Sequence, residues 1–205
     1  MEKKGNLIVI SGFSGAGKGT VVKNLVDKYG YSLSVSATTR APREGEIDGK
    51  EYYFKSVEDF RLLIDYNGFI EWAQYVDNYY GTPRKFVEDE MNEGRDVILE
   101  IEVQGAMNVR RQYPDAILIF VAAPSGKTLR ERLAGRGTET DDVIDRRMKR
   151  AADESMDIDE YDYVVINDRL EECVEQINSI IVAKKCKREN NLNFIEKIKK
   201  ELHEK

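Results

Sequence analysis

The sequence predicts an α/β fold, a parallel sheet flanked by helices. Three observations predict it. Short apolar runs rich in Val and Ile alternate with stretches of helical period, the pattern of strands joined by helical crossovers. A glycine-rich loop separates the first such run from the first helical stretch. The chain has 205 residues, enough for one compact domain or for a core domain carrying small inserted lobes.

Taken in order, Leu7 to Ile10, Val97 to Ile101, Ile117 to Val121 and Tyr163 to Ile166 predict buried strands, each followed within four residues by Gly, Pro, Ser or Asn. The stretch Val21 to Val26 predicts a helix immediately after the loop. Ser56 with Asp59 three residues on forms a capping box. Thr82-Pro83 predicts an N-cap with proline at the first helical position, opening Arg84 to Asn92, which Gly94 stops. Ser125 caps a helix over Lys127 to Leu133.

Two stretches break the alternation. Residues 36–82 are dense in Tyr, Trp, Arg and acids, with strand-like pieces over Glu51 to Lys55 and Phe69 to Val76, and read as an inserted lobe. Residues 135–150 are mostly charged, enter through Gly135-Arg136-Gly137, carry no apolar stripe wide enough for core packing, and read as a mobile flap. The last residues, about 184–205, predict an amphipathic helix on Leu192, Ile195, Ile198 and Leu202, packed on the core or on a partner, or loosely held.

Composition excludes several functions. Lys plus Arg number 32 against 38 Asp plus Glu, a net charge of −6, so no global positive field is available for nucleic acid or anionic lipid. The longest apolar run, Ala116 to Ala123, is eight residues, against about 20 for a membrane helix. The Leu7 to Ile10 run is too brief for a secretory signal, and two cysteines, Cys173 and Cys186, build no disulfide framework. The expected compartment is the cytoplasm. The one histidine, His203, is the third residue from the end of the sequence, which makes a Ser-His-Asp triad a poor candidate, and one His with two Cys leaves too few N and S ligands for zinc.

Gly12-Phe13-Ser14-Gly15-Ala16-Gly17-Lys18 matches the phosphate-binding pattern G-x-x-x-x-G-K in the strand–loop–helix setting that pattern requires. Glycines let backbone N–H groups turn inward around phosphate oxygens, the helix adds its positive end, and Lys18 supplies a point charge. Gly19 stands where Ser or Thr would touch magnesium, leaving Thr20 or water for that contact.

With this loop in place, the following segments resemble guanylate kinase. They are Ser34 to Glu46, Asp48 to Tyr52, Phe69 to Ala73, Asn78 to Thr82, Ile98 to Gly105 and Arg132 to Thr140, in the family's order, and the resemblance runs from residue 5 to about 183. It implies a P-loop kinase fold with a five-stranded parallel core sheet: core about 5–35, 83–134 and 151–190, a GMP-binding lobe over 36–82, and a lid over 135–150. It implies transfer of the γ-phosphoryl group of ATP to GMP, in guanine nucleotide metabolism, with Mg2+ accompanying ATP and no residue assigned as a metal ligand. By the same resemblance residues 12 to 20, from Gly12 to Thr20, bind ATP with Arg132, Arg136 and Asn167. Lys18, Arg136 and Arg147 are the catalytic charges. Arg40, Arg43, Tyr52 and Tyr80 hold the GMP phosphate, and Ser36, Glu71, Thr82 and Glu102 face guanine. The family more often carries Asp at the position of Glu102 and Ser at that of Thr82. No nucleic-acid or membrane partner is implied, and the chain is expected as a monomer or small homo-oligomer.

The residue chemistry points the same way. Guanine presents N1–H and an exocyclic amino group as adjacent donors, and one carboxylate accepts both, whereas adenine presents an acceptor at N1. Glu71 is therefore the candidate base reader, with Trp72, Tyr79 and Tyr80 lining its pocket. Arg40 and Arg43 have the fork geometry for bidentate phosphate contacts. Glu100 and Glu102, two apart on one strand, are expected on the same side. Two rivals stand beside this: a kinase of the same fold acting on another small phosphate, and a non-catalytic guanylate-kinase-like module that binds protein partners.

Overall fold

Strand β1 (Leu7–Gly12) is buried along its whole length, and its alternating side chains seed two cores. Leu7 and Val9 face one side of the sheet, Ile8 and Ile10 the other. In this computed structural model, which describes residues 4–75, 77–135 and 140–204, β1 is the centre of a five-stranded sheet. With β2 (Ser32–Leu33), β7 (Val97–Glu100), β8 (Ile117–Ala122) and β9 (Tyr163–Ile166) the order is β2-β7-β1-β8-β9, and every pairing is parallel. This is the sheet expected from the alternation of runs.

Helices α1 (Lys18–Tyr29) and α7 (Leu170–Lys185) cover one face through Val21, Val22 and Leu25 and through Cys173, Ile177 and Ile181. Helices α3 (Arg84–Asn92) and α4 (Val103–Gln112) cover the other through Val87, Met91, Ala106 and Val109. Each fully buried Ile, Leu or Val contributes about 1.5–3 kcal/mol, so this two-sided core fixes the strand ends where a ligand would sit.

A second sheet, in the order β4-β3-β6-β5, is built from β3 (Ala37–Thr38), β4 (Tyr53–Phe54), β5 (Phe69–Tyr75) and β6 (Asn78–Pro83). Its separate small core is Phe60 of α2 (Val57–Asp65), stacked on Phe69 at 4.4 Å and Tyr79 at 5.5 Å between ring centres. The Ser56 hydroxyl accepts the Asp59 N–H at 3.0 Å and so caps α2, and Ser125 caps α5 (Gly126–Ala134) through the Thr128 N–H.

Four expectations are corrected. Helix α3 starts at Arg84 with Pro83 at its cap position, because Thr82 belongs to β6 and uses its hydroxyl elsewhere. Strand β9 is an edge strand: Val165 is buried, but Tyr163, Val164 and Ile166 are exposed. The charged 135–150 stretch holds the start of a 14-residue helix, α6 (Asp141–Glu154), whose Ile144 and Ala151 are buried against Leu129 and Leu133 of α5. Two apolar residues two turns apart, Ile144 and Ala151, suffice for that packing, so no wide stripe was needed. Glu102 lies beyond the end of β7, at the cap position of α4, so strand alternation does not relate it to Glu100. The tail forms α8 (Leu192–His203), with Leu192, Phe194, Ile198 and Leu202 exposed. Among the described residues no helix is long and apolar enough to cross a membrane.

Candidate active site

The loop between β1 and α1 takes its shape from its glycines. Gly15 and Gly17 have φ of +89° and +91°, which an L side chain rarely adopts. A Cβ on Gly17 would also fall 2.5 Å from the amide nitrogen of Asn167, so both the backbone angle and the close approach demand glycine. The Lys18 ammonium folds back over the loop, donating to the carbonyls of Gly12 at 2.6 Å and Phe13 at 3.2 Å. Lys18 thus meets carbonyl oxygens, and the positive end of α1 remains behind the loop.

Three side chains from distant parts of the chain fasten this loop. Buried Asn167, at the end of β9, donates to the Ala16 carbonyl at 2.8 Å. Arg132 of α5 donates to the Asn167 carbonyl at 2.8 Å and to the Ala16 carbonyl at 3.5 Å. Arg147 of α6 donates to the Ser14 hydroxyl at 3.3 Å. The fold therefore brings Arg132, Arg147 and Asn167 to the loop. Arg136 lies outside the described residues.

On the second sheet, register decides which groups share a face. Glu71 of β5 lies opposite Thr82 of β6, and Ala73 opposite Tyr80, so these four point to one side. Trp72 and Tyr79 point to the other, where their rings meet at 6.1 Å, so they do not line the Glu71 side as expected. Glu71 is buried, and the Thr82 hydroxyl donates to its Oε1 at 2.7 Å. Burial pushes the Glu71 carboxyl up to about 7, against the opposing pull of the Thr82 hydrogen bonds. Its other oxygen rests against α4: a Cβ on Gly105 would lie 2.7 Å from Oε2. A cavity of about 550 Å³ opens beside it along the β5 edge, between Trp72, Gln104, Asn108 and Arg111.

Across the same sheet, Arg40 pairs with Glu46 at 2.9 Å and lies over the rings of Tyr52 and Phe54 at 5.4 and 5.8 Å. Glu46 also accepts the Arg43 backbone N–H at 2.7 Å, and Arg40 holds the Glu46 carboxyl below its ordinary range. The Arg43 side chain itself is exposed. The Tyr52 ring meets that of Tyr80 edge-on at 6.1 Å, and Ser36 precedes β3 with its carbonyl accepting the Tyr53 N–H at 2.9 Å.

The two halves converge at the carboxyl end of β7. A Cβ on Gly19 would lie 3.6 Å from a Glu100 oxygen. Burial raises the Glu100 carboxyl, Lys18 lowers it and Glu102 raises it further. The same two carboxylates act on Tyr52, which is otherwise raised by burial and Tyr80. Coulombic interactions thus link Lys18 to Glu100, Glu100 to Glu102 and Tyr52, and Tyr52 to Tyr80, from the loop to the second sheet.

A family model described as guanylate kinase matches residues 4–184. The chain belongs to the guanylate kinase family. A guanylate kinase of Caldanaerobacter subterraneus subsp. tengcongensis is 48% identical over 202 residues, covering 98% of each chain. That of Halalkalibacterium halodurans is 52% identical over 192 residues, covering 92% of this chain and 94% of the relative. The crystal structure of guanylate kinase from Anaplasma phagocytophilum superposes with a TM-score of 0.76 at 34% identity, over 91% of this chain and 89% of that one.

For a guanylate kinase, three features of this site escaped the sequence. Gly105 sits in the Ile98 to Gly105 segment that carries the resemblance, but only the packing of α4 on β5 makes it a neighbour of Glu71. Glu46 is legible as an acid six residues after Arg40, with no local sign that they pair. Arg150 of α6 meets Glu102 at 3.3 Å across 48 residues of sequence, a contact no pattern announces.

Proposed function

We propose that this guanylate kinase transfers the γ-phosphoryl group of ATP to GMP at the site described above, giving ADP and GDP. The loop Gly12 to Thr20 holds the ATP phosphates, with Lys18, Arg132, Arg136 and Arg147 balancing their charge. The 36–82 lobe takes GMP: Arg40, Arg43, Tyr52 and Tyr80 at its phosphate, Ser36, Glu71, Thr82 and Glu102 at its base. Asn167 acts by fixing the loop, and the segment 135–150 acts as the lid.

The attacking phosphate oxygen of GMP needs no general base, because its second pKa is near 6 and it is already deprotonated at pH 7. The residues must instead hold two polyanions in line and exclude water. Arg40 is pre-aimed by Glu46 and by the rings of Tyr52 and Phe54, and an incoming phosphate takes over its charge.

Mg2+ accompanies ATP in this reading. The Glu100 carboxylate, which faces Gly19, and the hydroxyl of Thr20, the next residue along, are hard oxygens of the kind this ion takes beside water and phosphate. When bound, the ion neutralises charge on the phosphate oxygens.

One observation carries the guanine assignment: a buried carboxylate, Glu71, with one oxygen taken by Thr82 and the other free of side-chain crowding because residue 105 is glycine. Calorimetric titration of Glu71→Gln tests it. GMP should bind at least tenfold more weakly while a non-hydrolysable ATP analogue binds as before. Equal loss for both ligands would remove Glu71 as the base reader.

A further inference from the structure

Helix α6 touches both halves of the site through one face. Arg147 donates to Ser14 in the phosphate loop at 3.3 Å, and Arg150, three residues on, donates to Oε2 of Glu102 at 3.3 Å. Positions i and i+3 of a helix lie on the same side, so these two guanidinium groups are carried by a single rigid surface. That surface is not adrift, since Ile144 and Ala151 anchor α6 to α5. Arg150 is further oriented by Glu154, one turn along, which accepts from its Nε at 2.6 Å. The fork of Arg150 therefore spans two carboxylates, one on its own helix and one at the start of α4.

We infer that Arg150 is a positioning residue that couples the two nucleotide subsites. It holds the Glu102 carboxylate in place and links that placement to the position of α6 over the phosphate loop. A ligand that draws Arg147 onto its phosphates fixes α6, and α6 in turn fixes Glu102 for the base of the second nucleotide. The inference rests on the assignment of Glu102 to the guanine subsite given above.

The consequence is thermodynamic reciprocity: each nucleotide tightens the other by the same factor. The pair is half exposed, so its bare contribution to stability is small and coupling is the quantity that reports it. The test uses the full chain, GMP, and the β,γ-imido analogue of ATP with Mg2+. The GMP dissociation constant is measured with and without the analogue for the unaltered protein, Arg150→Met and Glu102→Gln. The unaltered protein should show at least about a fivefold tightening of GMP, and Arg150→Met should bring that factor close to one with a melting temperature within about 2 °C of the original. Glu102→Gln should weaken GMP in the absence of the analogue. If GMP binds Glu102→Gln as it binds the original, Glu102 is not at the base and the underlying assignment fails. If Glu102→Gln weakens GMP but Arg150→Met keeps the full factor, or the unaltered protein shows none, the role of Arg150 fails alone.

Discussion

The Thr82 hydroxyl donates a 2.7 Å hydrogen bond to a Glu71 carboxylate that is buried between β5, β6 and α4. One polar partner does not offset that much lost hydration, which is why the carboxyl sits near 7 and not in the ordinary carboxylate range. The site thus keeps a carboxylate in a place that disfavours its charge.

A stability consequence follows from the sign of this shift. The folded state holds the Glu71 proton more tightly than the unfolded chain, so its contribution is fully present below the unfolded pKa and is lost as pH rises through about 7. Glu71→Gln should therefore melt a few degrees higher than the original protein at pH 8 and at about the same temperature at pH 5. Scanning calorimetry at the two pH values checks this.

GMP binding should show the same titration. The base needs the ionised carboxylate, so the apparent GMP affinity should fall as pH drops from 8 to 6. The phosphate of GMP titrates near 6 whichever protein it meets. The difference between the pH profiles of the original protein and Glu71→Gln therefore isolates Glu71, and the Glu71→Gln profile should be the flatter one.

Gly105→Ala places a methyl group 2.7 Å from Glu71 Oε2, so the carboxylate or α4 must move. Overpacking of this kind costs about 1–3 kcal/mol, while alanine returns up to about 1 kcal/mol of helix propensity. GMP KM should rise about tenfold with ATP KM unchanged and little change in melting temperature. Steady-state kinetics with each substrate varied in turn would show it, and equal rises in both KM values would count against a local effect.

Asn167→Ala leaves the Ala16 carbonyl without its buried donor. A loss of about 1–3 kcal/mol corresponds to a melting temperature lower by about 2–12 °C in a chain of this size. ATP KM should rise and GMP KM should not, because the loosened backbone belongs to the phosphate loop.

Lys18→Ala should lower kcat by about 10³ or more, as removal of a charge balancing the transferring phosphoryl group does. Rapid-quench measurement of a single turnover separates this from slow product release. Turnover near the original rate would place Lys18 outside the chemistry.

Much of the fold was legible because its strands are driven by burial. The β1, β7 and β8 runs are apolar on both faces, as a central parallel strand must be, and they stand out against any neighbour. The two-residue strands β2 and β3 carry no periodicity to read, and tertiary pairing alone defines them, whereas β4 falls inside the strand-like piece over Glu51 to Lys55. Thr82 shows the limit from the other side. Thr-Pro before a helix is a sound local cap signal, yet Pro83 ends β6 and the threonine hydroxyl is claimed by Glu71 across the sheet. Local chemistry was right about the residue type and wrong about its partner.

The site divides in the same way. The phosphate loop is contiguous, so its glycines and Lys18 could be found in one pass. Glu71 was implied by the resemblance and fits the chemistry of guanine, but the face it shares depends on register, and Trp72 and Tyr79 lie on the other face. The contacts that tie the halves together, Asn167 to Ala16 and Arg150 to Glu102, join segments 151 and 48 residues apart. Contacts of that range follow from the sheet order and appear only once the chain is folded.

The most direct measurement is the initial rate of ADP formation from Mg-ATP with GMP, AMP, CMP and UMP as acceptors, each against a no-acceptor blank. A carboxylate that reads guanine predicts rapid ADP formation with GMP and a kcat/KM for AMP lower by as much as about 10⁴-fold. Comparable rates with AMP, or ADP release that is indifferent to any acceptor, would contradict it.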